Sequence, residues 1–272
     1  MAMLILIRGA GELASGIAYR LNHAGLKVIL TELEKPLAIR RTVAFSEAVY
    51  EGQWTIEGIS AKLVKDPTDT LKVLQVMAKG IIPVLIDPQG EAITSLHPTV
   101  LVDARMLKQT VELIPTRINL IIGLGPGYVT GKNCHAAIET QRGHTLGRIY
   151  WEGAPLADTK VPDSVGEYRE QRVLRAPVNG IFHPQVNIAD HVETGQLIAL
   201  VEDQPLVAAF PGVVRGLLRD GFYVTQNLKI GDIDPRDNPQ YCSLISDKAL
   251  AIGGAVLEAI LSKPNLRPYL WA

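Results

Sequence analysis

Apolar and polar positions change period several times along the chain. Leu4 to Ile7 is a short apolar run, and Ile17, Ala18, Leu21 and Ala24 follow at helical spacing. That pattern predicts a strand and then a helix. Gly25 stands where a helix end favours a left-handed residue. Lys27 to Leu33 reads as a second strand, and Arg40 to Lys65 is less regular. Asp66 to Lys79 carries Leu71, Leu74 and Met77 at helical spacing, and Ile81 to Ile86, Thr99 to Val102 and Ile118 to Ile122 are further apolar runs. Short apolar runs separated by helical patterns predict a parallel sheet buried on both faces, hence an α/β domain. Near Tyr150 the pattern changes. Gly153, Pro155, Pro162 and Gly166 break the chain, and short strands with turns follow. Ser246 then caps a last helical pattern through Ala249, Ile252, Ala255, Val256, Ala259 and Ile260. Gly253 and Gly254 inside it cost helix stability, which close packing or a ligand would explain.

The first strand runs directly into Gly9-Ala10-Gly11-Glu12-Leu13-Ala14. Gly9 suits a tight turn, Gly11 lets backbone amides approach a pyrophosphate, and Ala14 lets the helix pack closely on the sheet. The helix start offers unpaired N–H groups to an anion. Glu32 lies near the end of the second strand, about 20 positions on, where an acid binds a ribose hydroxyl. The fold class predicted is a Rossmann-like parallel-sheet domain followed by a small β-barrel domain and a C-terminal helix. The cofactor expected is NAD(P) or another nucleotide. The alternative is a fold that kept its turn and binds nothing. Arg40 and Arg41 would meet a 2′-phosphate or another anion, or form an ordinary solvated basic pair.

Gly9, Glu32, Asp87, Asp103, Arg105, Gly123 and Gly125 all fall at predicted carboxyl ends of strands, where open α/β sheets bind ligands. Each aspartate alone would equally serve as a helix cap or turn former. The stretch from Gly123 to Trp151 holds Cys134, His135, Glu139, Arg142, His144 and Arg148. No metal-ligand spacing occurs there, so no metal is expected. A glycine-rich turn followed by Arg142, His144 and Arg148 fits anion capture better. A surface loop between domains is the plainer reading.

Residues 175–201 and 208–233 read as two versions of one unit. Each has a proline–glycine turn into a strand, then a valine three positions before Gly195 or Asn227 and an isoleucine three after. Glycine and asparagine both tolerate positive φ. The pattern resembles the biotinyl/lipoyl barrel, whose swinging-arm members carry a modified lysine between the halves. The connection Val201 to Val207 contains no lysine, so no covalent biotin or lipoate is expected. The domains predicted are 1–150 for the nucleotide-binding part, 151–172 for a linker, 173–238 for the β domain, and 239–272 for a C-terminal helix packing back on the first domain. Asp232 and Asp234 would hold a cation or, more simply, make a salt-bridged turn.

At 272 residues, 47% hydrophobic and 20% charged, the chain can bury a sizeable core. A net charge of −1 argues against broad nucleic-acid binding. Two cysteines, Cys134 and Cys242, make no disulfide framework and favour a reducing compartment. The first apolar run is too short for a signal peptide and no stretch reaches transmembrane length, so a cytoplasmic protein with no membrane partner is expected.

Several longer segments are more specific than any of these features. They are Ile7-Arg8-Gly9 through Gly16, Arg40-Arg41 with Phe45 to Gly52, Gly123 to Gly127, Glu139 to Arg148, Arg175 to Pro177, Lys229 to Arg236, and Ile245 to Gly254. With them the chain closely resembles the YqeB-type family, maturation proteins associated with selenium-dependent molybdenum hydroxylases. Its N-terminal domain also looks related to accessory factors that handle molybdenum cofactor for xanthine dehydrogenase-like enzymes. The resemblance implies an accessory role, with a molybdenum hydroxylase or its maturation machinery as partner. Within that role Cys242 is a candidate carrier of sulfur or selenium. A small semi-buried residue is the plainer reading of Cys242. Two alternatives stay open. One is an NAD(P)-dependent oxidoreductase with His144 or Asp103 in proton transfer. The other is a non-enzymatic partner-binding module. The sequence leaves room for a homo-oligomer and does not say whether any reaction is catalysed.

Overall fold

The computed structural model describes residues 3–109, 117–158 and 171–270. The expected linker falls partly outside them, with Pro162 and Gly166. The chain divides into two compact units. The first comprises Met1–Pro36, Ala44–Thr159 and Ile245–Ala272, and the second Leu37–Val43 with Lys160–Leu244.

The first unit is a mixed α/β structure built on one large sheet. In chain order it contains β1 (Leu4–Arg8), α1 (Glu12–His23), β2 (Lys27–Glu32), α2 (Ala48–Glu51), β3 (Gln53–Ile56), β4 (Ile59–Val64), α3 (Thr70–Met77), β5 (Ile82–Ile86), α4 (Glu91–Leu96), β6 (Val100–Asp103), β7 (Leu120–Leu124), β8 (Ala136–Ile138), β9 (Ile149–Tyr150) and α5 (Asp247–Leu261). The sheet order is β3-β4-β5-β2-β1-β6-β7-β8-β9. All pairs from β4 to β8 are parallel, and the hairpins at both edges are antiparallel. From β1 the chain first builds outward through β2 and β5, then returns to add β6 on the other side. The gap between the carboxyl ends of β1 and β6 is therefore a topological switch point.

The expected strands and the two longest helices are present within a few residues of their predicted bounds. The β3–β4 hairpin lies in the stretch read as irregular. Its turn puts Glu57 at φ 44° and Gly58 at φ 84°, a primed turn without the usual Asn-Gly signal. Ser246 caps α5, its Oγ accepting from Ala249 N–H at 3.2 Å. Small residues let α5 lie against α1. A Cβ on Gly16 would come within 2.6 Å of the Ala249 Cβ, and one on Gly253 within 2.7 Å of the Gly16 carbonyl oxygen. Close packing thus explains Gly253. A Cβ on Gly254 would meet nothing within 4 Å. On the α3–α4 side, Leu6, Ile29, Leu85, Leu101 and Ile121 pack with Val73, Val76, Ala92 and Ile93.

The second unit contains β10 (Val173–Arg175), β11 (Gly180–Pro184), β12 (His191–Val192), β13 (Leu197–Val201), β14 (Gln204–Val207), β15 (Gly212–Leu217), β16 (Tyr223–Val224) and β17 (Lys229–Asp234). They form two four-stranded sheets, β10-β17-β15-β12 and β14-β13-β11-β16. Phe182, Ile198, Val201, Phe210, Val214 and Ile233 share its core. The pairing repeats. In each half the first strand pairs with the third, and the middle strand pairs with the first strand of the other half. Gly195 at φ 82° and Asn227 at φ 68° occupy matching turns. Their N–H groups donate to Ala208 and Ala176 carbonyls at 2.8 and 2.9 Å. Glu202 and Asp203 form the tip between β13 and β14.

Candidate functional site

The turn from β1 into α1 is held from several sides. Gly9 takes φ 99°, a conformation natural to glycine, and donates its N–H to the Thr31 carbonyl at 2.8 Å. Glu32 spends both carboxylate oxygens nearby. Oε2 accepts from Ala10 N–H and Oε1 from Leu33 N–H, each at 2.8 Å. Burial pushes the Glu32 pKa up, against the downward pull of those two hydrogen bonds. The Ala10 carbonyl accepts from Ser46 N–H at 2.8 Å and from the Ser15 hydroxyl at 3.1 Å. The Phe45–Glu47 segment is thus a buttress for the turn. Ala14 is buried, and Glu12 places its charge at the positive end of α1.

Gly11 has a different standing. It is the N-cap of α1 at φ −69° and ψ −175°, extended backbone open to any residue, and no side chain caps the helix. A Cβ there would meet nothing within 4 Å. Neither backbone nor packing requires a glycine at this position.

Further along the rim, Arg8, Asp103 and Gly123 are neighbours in register at the last rung of β1, β6 and β7. Asp103 is buried and held by Arg105. The Arg105 Nε and backbone N–H donate to Oδ1 at 2.9 and 3.2 Å, and a terminal nitrogen donates to Oδ2 at 2.5 Å. That pairing raises the Arg105 pKa, more than burial lowers it. Met106, next in the chain, is at φ 58°, a left-handed position for a residue with a long side chain. Asp87 is a helix cap. Its Oδ1 accepts from Gly90 and Glu91 N–H at 2.9 and 2.8 Å, and its Oδ2 from Ala92 N–H at 3.0 Å. Gly123 makes room for an aromatic ring, since a Cβ there would fall 2.0 Å from the Tyr128 ring. Gly125, at φ 82°, turns the chain after β7.

Two rim groups escaped the sequence reading. Arg8 keeps only 8% of its surface exposed, and its buried Nε has no partner among the described residues. Burial and the nearby Arg105 charge lower its pKa, against Asp103, Tyr128 and Asp87. The Tyr128 hydroxyl is buried beside Asp103 and Arg105, close enough to interact with both. Burial first, then the Asp103 charge, push its pKa up. Arg8 was hidden inside an apolar strand. The signal was its position two residues after Leu6, on a buried face.

The remaining candidates lie elsewhere or have other partners. Arg40 and Arg41 belong to the second unit. Arg40 donates to the Tyr241 and Leu244 carbonyls at 2.8 and 3.1 Å, and Arg41 to the Leu217 carbonyl at 2.8 Å. Arg40 is buried where the plainer reading expected solvent. Arg142 makes a two-pronged ion pair with Asp247 at 2.6 and 2.9 Å. His144 and Arg148 are exposed, and Arg148 Nε donates to the His144 carbonyl at 3.3 Å. Glu139 is buried and accepts from Thr140, Gln141 and Leu156 N–H, each at 2.8 Å, organising that loop. Asp234 pairs with Arg236 and Asp232 with Arg172, so these acids make salt bridges. Cys242 is buried rather than semi-buried, and burial raises its thiol pKa. A reactive carrier needs the reverse, exposure and a lowered pKa. No group of three or more His, Cys, Asp or Glu placed to hold a metal ion occurs among the described residues. Among the same residues no helix is long and apolar enough to cross a membrane.

No family model matches the chain. It is 45% identical over 258 residues to the uncharacterized protein YqeB of Escherichia coli (strain K12), covering 95% of this chain and 47% of that protein. The chain therefore spans about half the length of that curated relative. Among solved structures, an aspartoacylase family protein from Mesorhizobium loti is 13% identical with a TM-score of 0.28, covering 86% of this chain and 85% of that one. The ectoine utilization protein EutE (DoeB) from Ruegeria pomeroyi is 12% identical with a TM-score of 0.23, covering 86% and 58%. Scores this low establish no shared fold. The 45% identity to YqeB supports the resemblance to the YqeB-type family carried by the sequence motifs.

Proposed function

We propose that the chain binds a nucleotide or nucleotide-like cofactor at the carboxyl end of its parallel sheet, as an accessory factor in maturing a selenium-dependent molybdenum hydroxylase. The observation that carries the binding reading is Gly11. A glycine at a helix N-cap, with ordinary backbone angles and open space before it, has no reason within the fold. Serine or aspartate would cap α1 better. Close approach of a pyrophosphate to the first-turn amides supplies the missing reason. Glu32 fits the same picture. Each of its oxygens accepts one backbone N–H and retains a lone pair for a ribose hydroxyl. The process rests on the YqeB-type resemblance. In this reading the first unit is a Rossmann-like domain. The second unit is a biotinyl/lipoyl-like barrel without its lysine, serving to dock the partner.

The test is thermal denaturation with NAD(H), NADP(H), ATP, CTP, FAD and a pterin dinucleotide in turn. A ligand at 100 times its Kd stabilises by about 2.7 kcal/mol, which reads as a rise of roughly 5–11 °C for a protein of this size. The rise should appear with one nucleotide and disappear in Gly11→Trp. No rise with any, or a rise undiminished in Gly11→Trp, would overturn the binding reading and leave a partner-binding module.

A further inference from the structure

We propose that Arg8, Arg105 and the Tyr128 hydroxyl form an oxyanion-recognition site at the switch point between β1 and β6, taking a phosphate or carboxylate group of a small ligand. The case rests on donors that outnumber acceptors. Arg8 is more than nine-tenths buried, its guanidinium makes no hydrogen bond among the described residues, and its Nε is fully buried. The two nearest acids are already engaged. Asp103 is held three times by Arg105, and Asp87 three times by amides at the start of α4. Their charges favour the Arg8 guanidinium but do not offset its burial and the repulsion of Arg105.

The contrast with other buried arginines sharpens the point. Arg172 sits on Asp232 at 2.7 and 3.0 Å, and Arg40, whose Nε is as buried and unbonded as that of Arg8, still gives a terminal nitrogen to two carbonyls, whereas no nitrogen of the Arg8 guanidinium makes a hydrogen bond among the described residues. A buried charged group left without bonds is costly, and native folds rarely keep one without a use. The Tyr128 hydroxyl adds a neutral donor on the same rim. Its ring is locked over Gly123, which fixes the buried hydroxyl beside Asp103 and Arg105, within hydrogen-bonding reach of both. A guanidinium offers several N–H groups in a planar fork, and that fork matches a carboxylate or phosphate. An oxyanion accepts only, which is what a site with surplus donors lacks. The left-handed Met106 beside Arg105 is the kind of backbone strain that persists at ligand sites.

This site does not depend on the nucleotide reading. Arg8 continues the face that Leu6 presents to the α3–α4 layer, and it shares no residue with the Gly11 turn. The experiment titrates inorganic phosphate and acetate separately into the full chain at constant ionic strength, reading thermal midpoint and calorimetric heat. Wild type should show saturable stabilisation by one of them, which identifies phosphate or carboxylate as the recognised group. Arg8→Met should abolish it, and Tyr128→Phe should weaken affinity about tenfold. Without ligand, Arg8→Met should melt no lower than wild type, because it replaces an unsatisfied buried charge with an apolar chain of similar length. If that variant does not fold, Arg8→Lys keeps the charge, loses the fork, and should lose affinity at least tenfold. Gly11→Trp should retain the response, which separates this site from the nucleotide. No saturable response to either probe, or an equal response in wild type and the Arg8 variants, would overturn the proposal.

Discussion

Gly253 and Gly254 are adjacent in one helix, and alanine should act on them with opposite signs. Both replacements gain helix propensity of about 1 kcal/mol. At Gly254 nothing lies within 4 Å of the new methyl group, so most of that gain survives. At Gly253 the methyl group would sit 2.7 Å from the Gly16 carbonyl oxygen and 2.9 Å from Arg20 Cγ. The Arg20 chain can turn aside, but the backbone oxygen cannot. Restoring ordinary contact requires α5 and α1 to part by roughly 0.8 Å, since optimal heavy-atom separations start near 3.5 Å. Such a gap forfeits a quarter to a half of the dispersion attraction where the helices touch, and overpacking of this kind costs about 1–3 kcal/mol. Net of propensity, Gly253→Ala should lose up to about 2 kcal/mol while Gly254→Ala gains about 0.5–1 kcal/mol. At roughly 2–4 °C per kcal/mol, the two melting midpoints should differ by several degrees. Thermal and urea denaturation of both variants decide it. Because α1 begins at the Gly11 turn, Gly253→Ala should also weaken nucleotide stabilisation, and Gly254→Ala should not. Equal stability of the two variants would refute the close-packing account of this helix pair.

Other expectations follow from the hydrogen-bond and charge pattern. Glu32→Gln must turn an NH₂ group toward either Ala10 or Leu33 N–H, losing about 1–3 kcal/mol. Burial raises the folded-state pKa of Glu32. Its favourable contribution is therefore full below the unfolded value and is lost as pH rises through the folded one. A stability–pH curve should be flatter across that interval in Glu32→Gln than in wild type. Asp234 behaves in the opposite sense. Burial alone would raise its pKa, but the Arg236 hydrogen bonds and charge outweigh it and hold the carboxylate below 3.8. That stabilisation is present above the unfolded value and lost as pH falls through the folded one, so Arg236→Met should begin acid unfolding at a higher pH. Burial pushes Cys134 up to about 11 and raises Cys242 as well. Neither thiol should react with iodoacetamide at neutral pH until the protein unfolds, and rapid native-state alkylation of Cys242 would revive a carrier role.

How much of this was legible in the sequence depended on whether the deciding contact was local. Gly9 and the β1–α1 turn, the Ser246 cap, and the matched turns at Gly195 and Asn227 are set by neighbours within a few residues, and period and turn chemistry found them. Gly253 was flagged by its cost, but only the distant Gly16 explains it. Arg40 and Arg41 read either as anion ligands or as a solvated pair, because nothing in the sequence shows the carbonyls of residues 217, 241 and 244 that they meet. The β3–β4 hairpin passed unnoticed because Glu57-Gly58 does not announce a primed turn. Arg8 is the most instructive omission. A charge that takes the place of leucine on the inward face of a central strand contradicts the pattern around it. Such local conflicts tend to mark functional positions. Here the conflict lies at the crossing point of the sheet, with Tyr128 brought beside it from β7 by the space Gly123 leaves. Asp103 and Arg105 alone would be a self-contained ion pair. With Arg8 and Tyr128 against them, the same rim holds more donors than the acceptors of the described residues satisfy, the Arg8 guanidinium foremost.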